Sequence, residues 1–86
     1  KVMEHDLGKI CHLAFNFIPR GFIPCTGAII SINQYQAVYA LLGNTYGGDG
    51  KQTFAIPDLR GKSPLDKDPT ECHYYICMYG IFPSRD

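Results

Sequence analysis

The alternation of apolar and polar positions predicts β-strands near both ends of the chain. Residues 7–17 predict a long first strand, and residues 71–82, rich in aromatic and β-branched side chains, predict a long last strand. Between them, residues 28–32 form a short apolar run, and residues 53–56 predict a short strand. Residues 18–27 contain two prolines and two glycines, which indicates a turn-rich crossing.

The C-terminal strand is predicted to be apolar on both of its faces. Alternation places Tyr75, Cys77 and Tyr79 on one face. Tyr74 and Ile76 lie on the other face. A strand that is apolar on both faces is normally buried on both faces. In a chain this small, we expect core packing to cover one face and a second subunit to cover the other.

One helix is predicted over about residues 33–42. Asn33 favours an N-cap, and Gln36 stands three residues later, as in a capping box. Gly43 supplies a C-terminal stop. The apolar stripe between them consists of Ala37, Val38, Leu41 and Leu42. Together with the strands, this helix predicts a small α+β fold with more loop than usual.

Length and charge limit the classes of function. The chain has 86 residues, so we expect a single domain over residues 1–86, with residues 1–6 as an extended N-terminal arm. Eight basic and eight acidic residues cancel, and we therefore expect no nucleic-acid partner. No apolar run approaches the ~20 residues that span a bilayer, so we expect no membrane insertion. The chain begins with Lys1 rather than Met, which leaves open whether a leader precedes it.

The glycine-rich stretch NTYGGDGKQTFAIPDLRG, residues 44–61, raises the question of phosphate binding. A P-loop needs glycine, four residues and then Gly-Lys-Ser/Thr, but Thr45 stands where the first glycine would be and Gln52 follows the lysine. The stretch also leads into an extended segment, whereas a dinucleotide fingerprint opens a helix. We therefore expect no cofactor, and we interpret these glycines as members of a compact loop that needs positive φ.

Four residues near the glycines have expected structural roles. Asp49 is expected to cap backbone N–H groups inside the loop. Pro57 is expected to end the strand before it, because proline has no N–H donor. Asp58 and Arg60 either clamp neighbouring backbone or a second chain through charge-assisted bonds, or form an exposed ion pair that contributes about 0–1 kcal/mol.

The order of these motifs resembles the phage tail collar domain family. The segments that carry the resemblance are NFIPRGF, CTG, LLGNTYGGDGKQTFAIPDLRG and GIFPSRD, and together they cover about residues 7–86. The family includes short tail-fibre collars of phages and bacterial proteins described as microcystin-dependent. The resemblance implies a small, β-rich, collar-type fold with a short helix, and a structural or adhesive role in fibres.

The chain departs from the family pattern at several positions. Phe22 replaces the usual tryptophan, and Thr26 replaces the usual asparagine or aspartate. Longer members carry a His-x-His pair in a metal-binding tip, and no such pair occurs here, so we predict no metal site. Cys11 and Cys72 also stand where cysteine is not expected in most relatives.

Four cysteines allow two disulfides in three connectivities. They are Cys11, Cys25, Cys72 and Cys77. In a strand, the last two would lie about 17 Å apart and point to opposite faces, so we expect any bridge from either to reach Cys11, Cys25 or another chain. Buried thiols that act as small hydrophobic side chains are the leading alternative, followed by disulfides if the protein is extracellular.

The dipeptides Cys11-His12 and Cys72-His73 raise two chemical interpretations. A zinc site is disfavoured, because adjacent side chains in a strand point to opposite faces and the usual C-x₂₋₄-C spacing is absent. A Cys-His nucleophile would make the protein a thiol hydrolase, but a chain with this little sheet has scant room for a pocket.

We expect a non-enzymatic structural subunit that self-assembles, either as a homotrimer or as an open polymer. It would belong to a phage-tail-fibre-like appendage or an extracellular filament, located on a virion tail or outside the cell. The contacts are expected from the aromatic C-terminal strand and the YGGDGK loop. The residues assigned to assembly or structure are Tyr46, Gly47, Gly48, Asp49, Gly50, Phe54, Pro57, Asp58, Arg60, Tyr75, Tyr79, Phe82 and Arg85.

The alternative is an adhesion module that binds a host surface or a carbohydrate. Tyr46 and the loop over residues 62–70 would then contact a cell-surface receptor or a glycan. Alanine at Tyr46 that abolishes binding and leaves assembly intact would support this alternative, and loss of assembly would count against it.

Overall fold

The structure, a computed structural model, describes residues 6–14 and 17–81. In this part of the chain the elements are β1 (Ile10–His12), β2 (Phe22–Pro24), β3 (Ile29–Ser31), α1 (Gln36–Leu42), β4 (Thr53–Ala55) and β5 (Tyr74–Cys77). β5 lies between β1 and β2 in a three-stranded antiparallel sheet, and β3 pairs with β4 in a two-stranded antiparallel sheet. The predicted α+β, strand-rich collar-type fold with a short helix is confirmed.

The first predicted strand is shorter than residues 7–17. β1 begins only at Ile10, because residues 6–9 form a turn in which the Lys9 N–H donates to the Asp6 carbonyl at 3.2 Å. Residues 15–16 lie outside the described residues, as does the predicted arm over residues 1–6 apart from Asp6. Asp6 itself forms a parallel bridge with Ile81.

The last predicted strand is also shorter than residues 71–82. β5 ends at Cys77, because Met78 and Tyr79 both direct their N–H groups to the carbonyl of Gly21, at 2.7 and 3.3 Å. Met78 and Tyr79 therefore stand opposite the single residue Gly21, as in a β-bulge, and a bulge interrupts the regular pairing of strands.

The turn-rich crossing predicted over residues 18–27 also contains a strand that was not predicted, β2. The predicted turn is present, since the Phe22 N–H donates to the Pro19 carbonyl at 3.1 Å. Pro24 is compatible with β2 because this strand lies at the edge of its sheet, where proline needs no donor on the outer side.

The predicted start of the helix was also wrong. α1 begins at Gln36, and Tyr35 occupies the cap position without a side-chain cap bond. Asn33 lies instead in a turn that the Tyr35 N–H closes on the Ile32 carbonyl at 3.1 Å. The predicted stop is confirmed, since Gly43 has φ +61° and donates its N–H to the Tyr39 carbonyl at 2.7 Å.

Two buried clusters lie on opposite faces of β5. The main cluster consists of Leu7, Cys25, Val38, Phe54, Ile56, Ile76 and Met78. The second consists of Phe22, Tyr75 and Cys77, with Cys11 and Leu13 packed against it. Burial of β5 on both faces is therefore confirmed. On the second face, Tyr75 and Cys77 pack with Phe22 of β2 and against Cys11 and Leu13 of the same chain. The expectation that a second subunit covers this face stays a prediction.

The helix of the described region is far too short to cross a membrane.

Candidate assembly surface

Residues 46–51, YGGDGK, form the glycine loop, which folds back over the edge of β4 that faces away from β3. The Ala55 N–H donates to the Gly47 carbonyl at 3.0 Å, and the Gly50 N–H donates to the Thr53 carbonyl at 2.9 Å. Gly48 has φ +87°, and a Cβ there would lie 2.4 Å from the Cα of Phe54. Glycine is therefore required at this position both by conformation and by space. The loop closes this edge of the two-stranded sheet.

Asp49 holds the loop in shape, as predicted. Its Oδ1 accepts the backbone N–H groups of Lys51, Gln52 and Thr53 at 2.7, 2.8 and 3.0 Å. These bonds, led by that from Thr53, lower the pKa of the Asp49 carboxyl to about 2. The loop is thus fixed locally, by contacts within four residues.

Several of the residues assigned to assembly or structure are buried within the chain. Phe54 is fully buried, with its ring centroid 5.4 Å from that of Tyr39. Pro57 and Tyr75 are also buried. These side chains support the fold and are not accessible to a partner. Phe82 and Arg85 lie outside the described residues.

Asp58 and Arg60 form the exposed ion pair that was one predicted role. Two parallel bonds join them, Nη2 to Oδ2 at 2.7 Å and Nε to Oδ1 at 2.9 Å, and both side chains are nearly half exposed. Asp58 Oδ1 also accepts the backbone N–H of Arg60 at 3.2 Å, a contact of the kind that the other role, the backbone clamp, predicted. The bond from the Arg60 side chain is the main cause that lowers the pKa of Asp58 to about 2. Such a pair contributes little to stability, because solvent screens it.

Tyr79 lies on the surface, 67% exposed, and contacts a residue that the sequence analysis missed. Its hydroxyl lies 2.8 Å from the hydroxyl of Tyr35, and the two rings meet edge to face at 5.5 Å. Bonding to Tyr79 raises the pKa of Tyr35. Gly21 lies beneath, where a Cβ would come within 3.2 Å of the Tyr79 carbonyl oxygen. Only the aromatic character of Tyr35 could have indicated this exposed pair.

The outer edge of β3 is the second surface that the sequence analysis missed. The Ala28 carbonyl accepts from Ile56 at 3.1 Å, and the Ile32 N–H donates to the Gln52 carbonyl at 3.0 Å. Because antiparallel bonding alternates along a strand, the backbone groups of Ile29 and Ser31 point away from β4. The Ile29 side chain is 61% exposed. Within the described residues, β3 pairs with β4 alone, so this edge is open.

A polar cluster fastens the loop between β4 and β5 to the three-stranded sheet. His12 Nε2 lies 2.6 Å from Ser63 Oγ, and His73 Nδ1 lies 2.6 Å from Asp66 Oδ1. The Ser63 N–H donates to Asp66 Oδ2 at 3.0 Å. The Asp66 side chain is only 1% exposed. Burial alone would raise the pKa of Asp66, but the bonds from His73 and Ser63 lower it.

The hydrogen bonds of this polar cluster favour a structural role over nucleophilic catalysis. A hydroxyl beside an imidazole is the arrangement of a nucleophile and its base, but Asp66 bonds to His73 and not to His12. Ser63 is only 5% exposed, and its Oγ also accepts the Leu65 N–H at 3.0 Å. The Ser63-x-x-Asp66 spacing, typical of a capping box, is the sequence signal that could have revealed it.

No disulfide joins the four cysteines, all of which lie in the described residues, and burial disfavours nucleophilic chemistry at two of them. Burial raises the pKa of Cys25 to about 12 and also raises that of Cys77, so the reactive thiolate is scarce. His12 and His73 bond to Ser63 and Asp66 rather than to a neighbouring thiol. Across residues 6–14 and 17–81, no three His, Cys, Asp or Glu side chains are grouped to hold a metal ion.

Comparison with known proteins identifies the family. A family model described as Phage Tail Collar Domain matches residues 8–64, which span β1 to β4, the glycine loop and Ser63. No curated protein and no solved structure matches the chain. The matched family is a structural one of phage tail fibres. The chain therefore belongs to the phage tail collar domain family.

Proposed function

We propose that the chain is a non-enzymatic structural subunit that self-assembles into a phage-tail-fibre-like or extracellular filamentous appendage. The family match over residues 8–64 is the observation that carries the structural role. It is also consistent with a location on a virion tail. The open β3 edge and the exposed apolar side chains support the further step to self-assembly.

The described surface exposes many large apolar side chains for so small a chain. They are Ile10, Phe17, Ile18, Ile29, Leu41, Tyr46, Leu65, Tyr79 and Ile81. An exposed apolar side chain favours association where it lies on an unpaired strand edge, as Ile29 does on β3. A second copy of the chain is the partner that a fibre subunit requires.

Two of these surfaces lie on different elements. Ile29 lies on β3 in the two-stranded sheet, whereas Tyr79 follows β5 and contacts Tyr35. If one surface binds the other surface of the next copy, the contact is heterologous, and it generates a closed ring or an open filament. Both the homotrimer and the polymer are built from such contacts.

The first test measures mass and shape together. Light scattering and negative-stain electron microscopy of the protein should show a trimer or a regular filament. The variant Ile29→Lys should be monomeric in the same measurements, because a charged lysine on an edge strand opposes edge-to-edge pairing. Leu65→Lys is the matched control, since Leu65 is also an exposed apolar residue but lies in the loop held by Ser63. A monodisperse wild-type monomer would contradict the proposal.

The adhesion module is the second candidate, favoured by the position of Tyr46. This side chain is 51% exposed and stands beside a loop that Asp49 holds rigid. A rigid exposed tyrosine offers contact area at low entropic cost, which suits binding to a glycan or a cell-surface receptor. On a glycan array, Tyr46→Ala should lose the signal while the mass from light scattering stays unchanged. Loss of both would assign Tyr46 to assembly.

A further inference from the structure

We propose that Cys25 and Cys72 are partners in an intramolecular disulfide, which links the end of β2 to the segment before β5. The pair spans two sheet neighbours and joins parts of the chain that are distant in sequence. The proposal is independent of self-assembly, because both residues pack in or against the main core of one chain.

The register of the sheet brings these two residues together. Pro24 stands opposite Tyr75, and the Cys25 N–H donates to the Tyr74 carbonyl at 2.9 Å. Cys25 therefore continues the pairing opposite Tyr74. Cys72 lies two residues before Tyr74 and so faces the same side of the sheet. Its sulfur lies 3.1 Å from the Tyr74 carbonyl oxygen and 3.4 Å from the Cys25 carbonyl oxygen, which places the thiol beside the Cys25 backbone.

The same register excludes the other partners within the chain. Cys11 and Cys77 lie with the second buried cluster, whereas Cys25 belongs to the main cluster and Cys72 packs against it. β5 lies between the two clusters, so a bridge from Cys25 or Cys72 to Cys11 or Cys77 would have to pass through the sheet. Of the three possible connectivities, only Cys25–Cys72 with Cys11–Cys77 keeps each disulfide on one face of the three-stranded sheet.

The bridge requires a small approach of the two backbones. Diagonal neighbours in an antiparallel sheet have Cα atoms about 7–8 Å apart, and a disulfide needs about 4.4–6.8 Å. Cys25 follows the last residue of β2, and Cys72 precedes the first residue of β5. The β2–β5 ladder ends at the pair Pro24–Tyr75, so an approach of about 1 Å between Cys25 and Cys72 leaves that ladder in place.

Thiol–disulfide exchange with a small-molecule disulfide supplies the oxidation. The Cys72 thiolate attacks one sulfur of the small disulfide, forms a mixed disulfide and releases the other sulfur as a thiolate. Cys72 is half-buried whereas Cys25 is buried, so Cys72 is the more accessible of the two thiols. The Cys25 thiolate then attacks the Cys72 sulfur and releases the second small thiolate. Two protein thiols are oxidised, two small thiols are produced, and the two thiol protons pass to solvent or to those thiolates.

The environment of Cys25 determines when this bond forms. Burial raises the pKa of Cys25 to about 12, so the second step is slow once the core has closed. The bond should therefore form during folding, before Cys25 is covered.

The test is peptide mapping after refolding of the whole chain in a mixture of oxidised and reduced glutathione. Chymotrypsin cleaves after Tyr74 and Tyr75, which separates Cys72 from Cys77. The expected result is a linked peptide pair that contains Cys25 and Cys72 and disappears on reduction. The oxidised protein should also unfold at a temperature higher by about 10 °C or more, because the bridge closes a long loop.

Two matched variants complete the experiment. Cys72→Ser should remove the linked pair, and Cys77→Ser should keep it. Linkage of Cys25 to Cys77 or Cys11 in the wild type would overturn the proposal. So would Cys25 and Cys72 remaining free in protein that has refolded to its native circular dichroism spectrum, or cross-links found only between chains on a non-reducing gel.

Discussion

At the scale of single residues, Gly48 is where the glycine loop tolerates least change. An alanine methyl would lie 2.4 Å from the Cα of Phe54 and 2.7 Å from the Thr53 carbonyl oxygen, both of which are backbone atoms that cannot move aside. We expect Gly48→Ala to lower the free energy of unfolding by at least about 3 kcal/mol, measured by urea denaturation.

The control for Gly48 is Gly43, which also has positive φ but has nothing within 4 Å of its Cβ position. Gly43→Ala should cost about 1–3 kcal/mol, from backbone strain alone, because φ +61° with ψ −154° is a conformation that essentially only glycine adopts. Equal losses in the two variants would show that close packing of the loop on β4 does not contribute.

Asp49 gives a prediction for acid conditions. Its pKa is about 2 in the folded chain against 3.8 for the unperturbed group. Because the folded pKa is the lower one, the stability that the carboxylate contributes is present above about pH 4 and is lost as the pH falls towards about 2. Asp49→Asn should flatten this part of the pH profile of the free energy of unfolding.

Lys51→Ala is the control for Asp49, since Lys51 contributes its backbone N–H to the carboxylate and that group is kept in the variant. It should retain the wild-type acid profile. A profile for Asp49→Asn that runs parallel to the wild type between pH 4 and 2 would contradict the assigned role.

At the scale of elements, the position of a strand within its sheet decides what its side chains contribute. Ile10 of β1 and Ile76 of β5 stand opposite each other, yet Ile76 is fully buried and Ile10 is 41% exposed. We expect Ile76→Ala to cost about 3–4 kcal/mol and Ile10→Ala less than about 1 kcal/mol in urea denaturation. Similar losses would mean that a partner covers the outer strand in solution.

The loop between β4 and β5 depends on the polar cluster. Asp66→Ala removes the partner of His73 and of the Ser63 N–H, so the loop should detach more often. We expect trypsin to cleave after Lys62 and Lys67 about tenfold faster in this variant under native conditions. Asp68→Ala, in the same loop but bonded only to Thr70 and its own turn, is the control and should change the rate much less. An unchanged rate of trypsin cleavage in Asp66→Ala would show that the polar cluster does not hold this loop against the sheet.

At the scale of the whole molecule, the chain carries no net charge and its open surfaces are apolar. Apolar contacts are not screened by salt, whereas contacts between opposite charges weaken at high ionic strength. The assembled mass from light scattering should therefore be unchanged between about 50 and about 500 mM salt. Dissociation at high salt would instead assign assembly to charged pairs such as Asp58–Arg60.

The features that were predictable depend on local sequence. The cap by Asp49 acts over two to four residues, and the stop at Gly43 acts within one helical turn. The alternation along β5 was likewise sufficient to predict that both faces are buried. The start of the helix was not predictable in this way, because Asn33 offers a good local cap, whereas the turn over residues 32–35 moves the start to Gln36.

The sequence by itself determined the family, the α+β class and the glycine loop, because motif spacing, periodicity and turn chemistry act between near neighbours. Only the tertiary structure decided which surfaces are open and which cysteines are neighbours. Tyr35 and Tyr79 are 44 residues apart, and Cys25 and Cys72 are 47 apart. Contacts at such separations depend on the order and register of strands, and a single sequence encodes these only through the packing of the complete core.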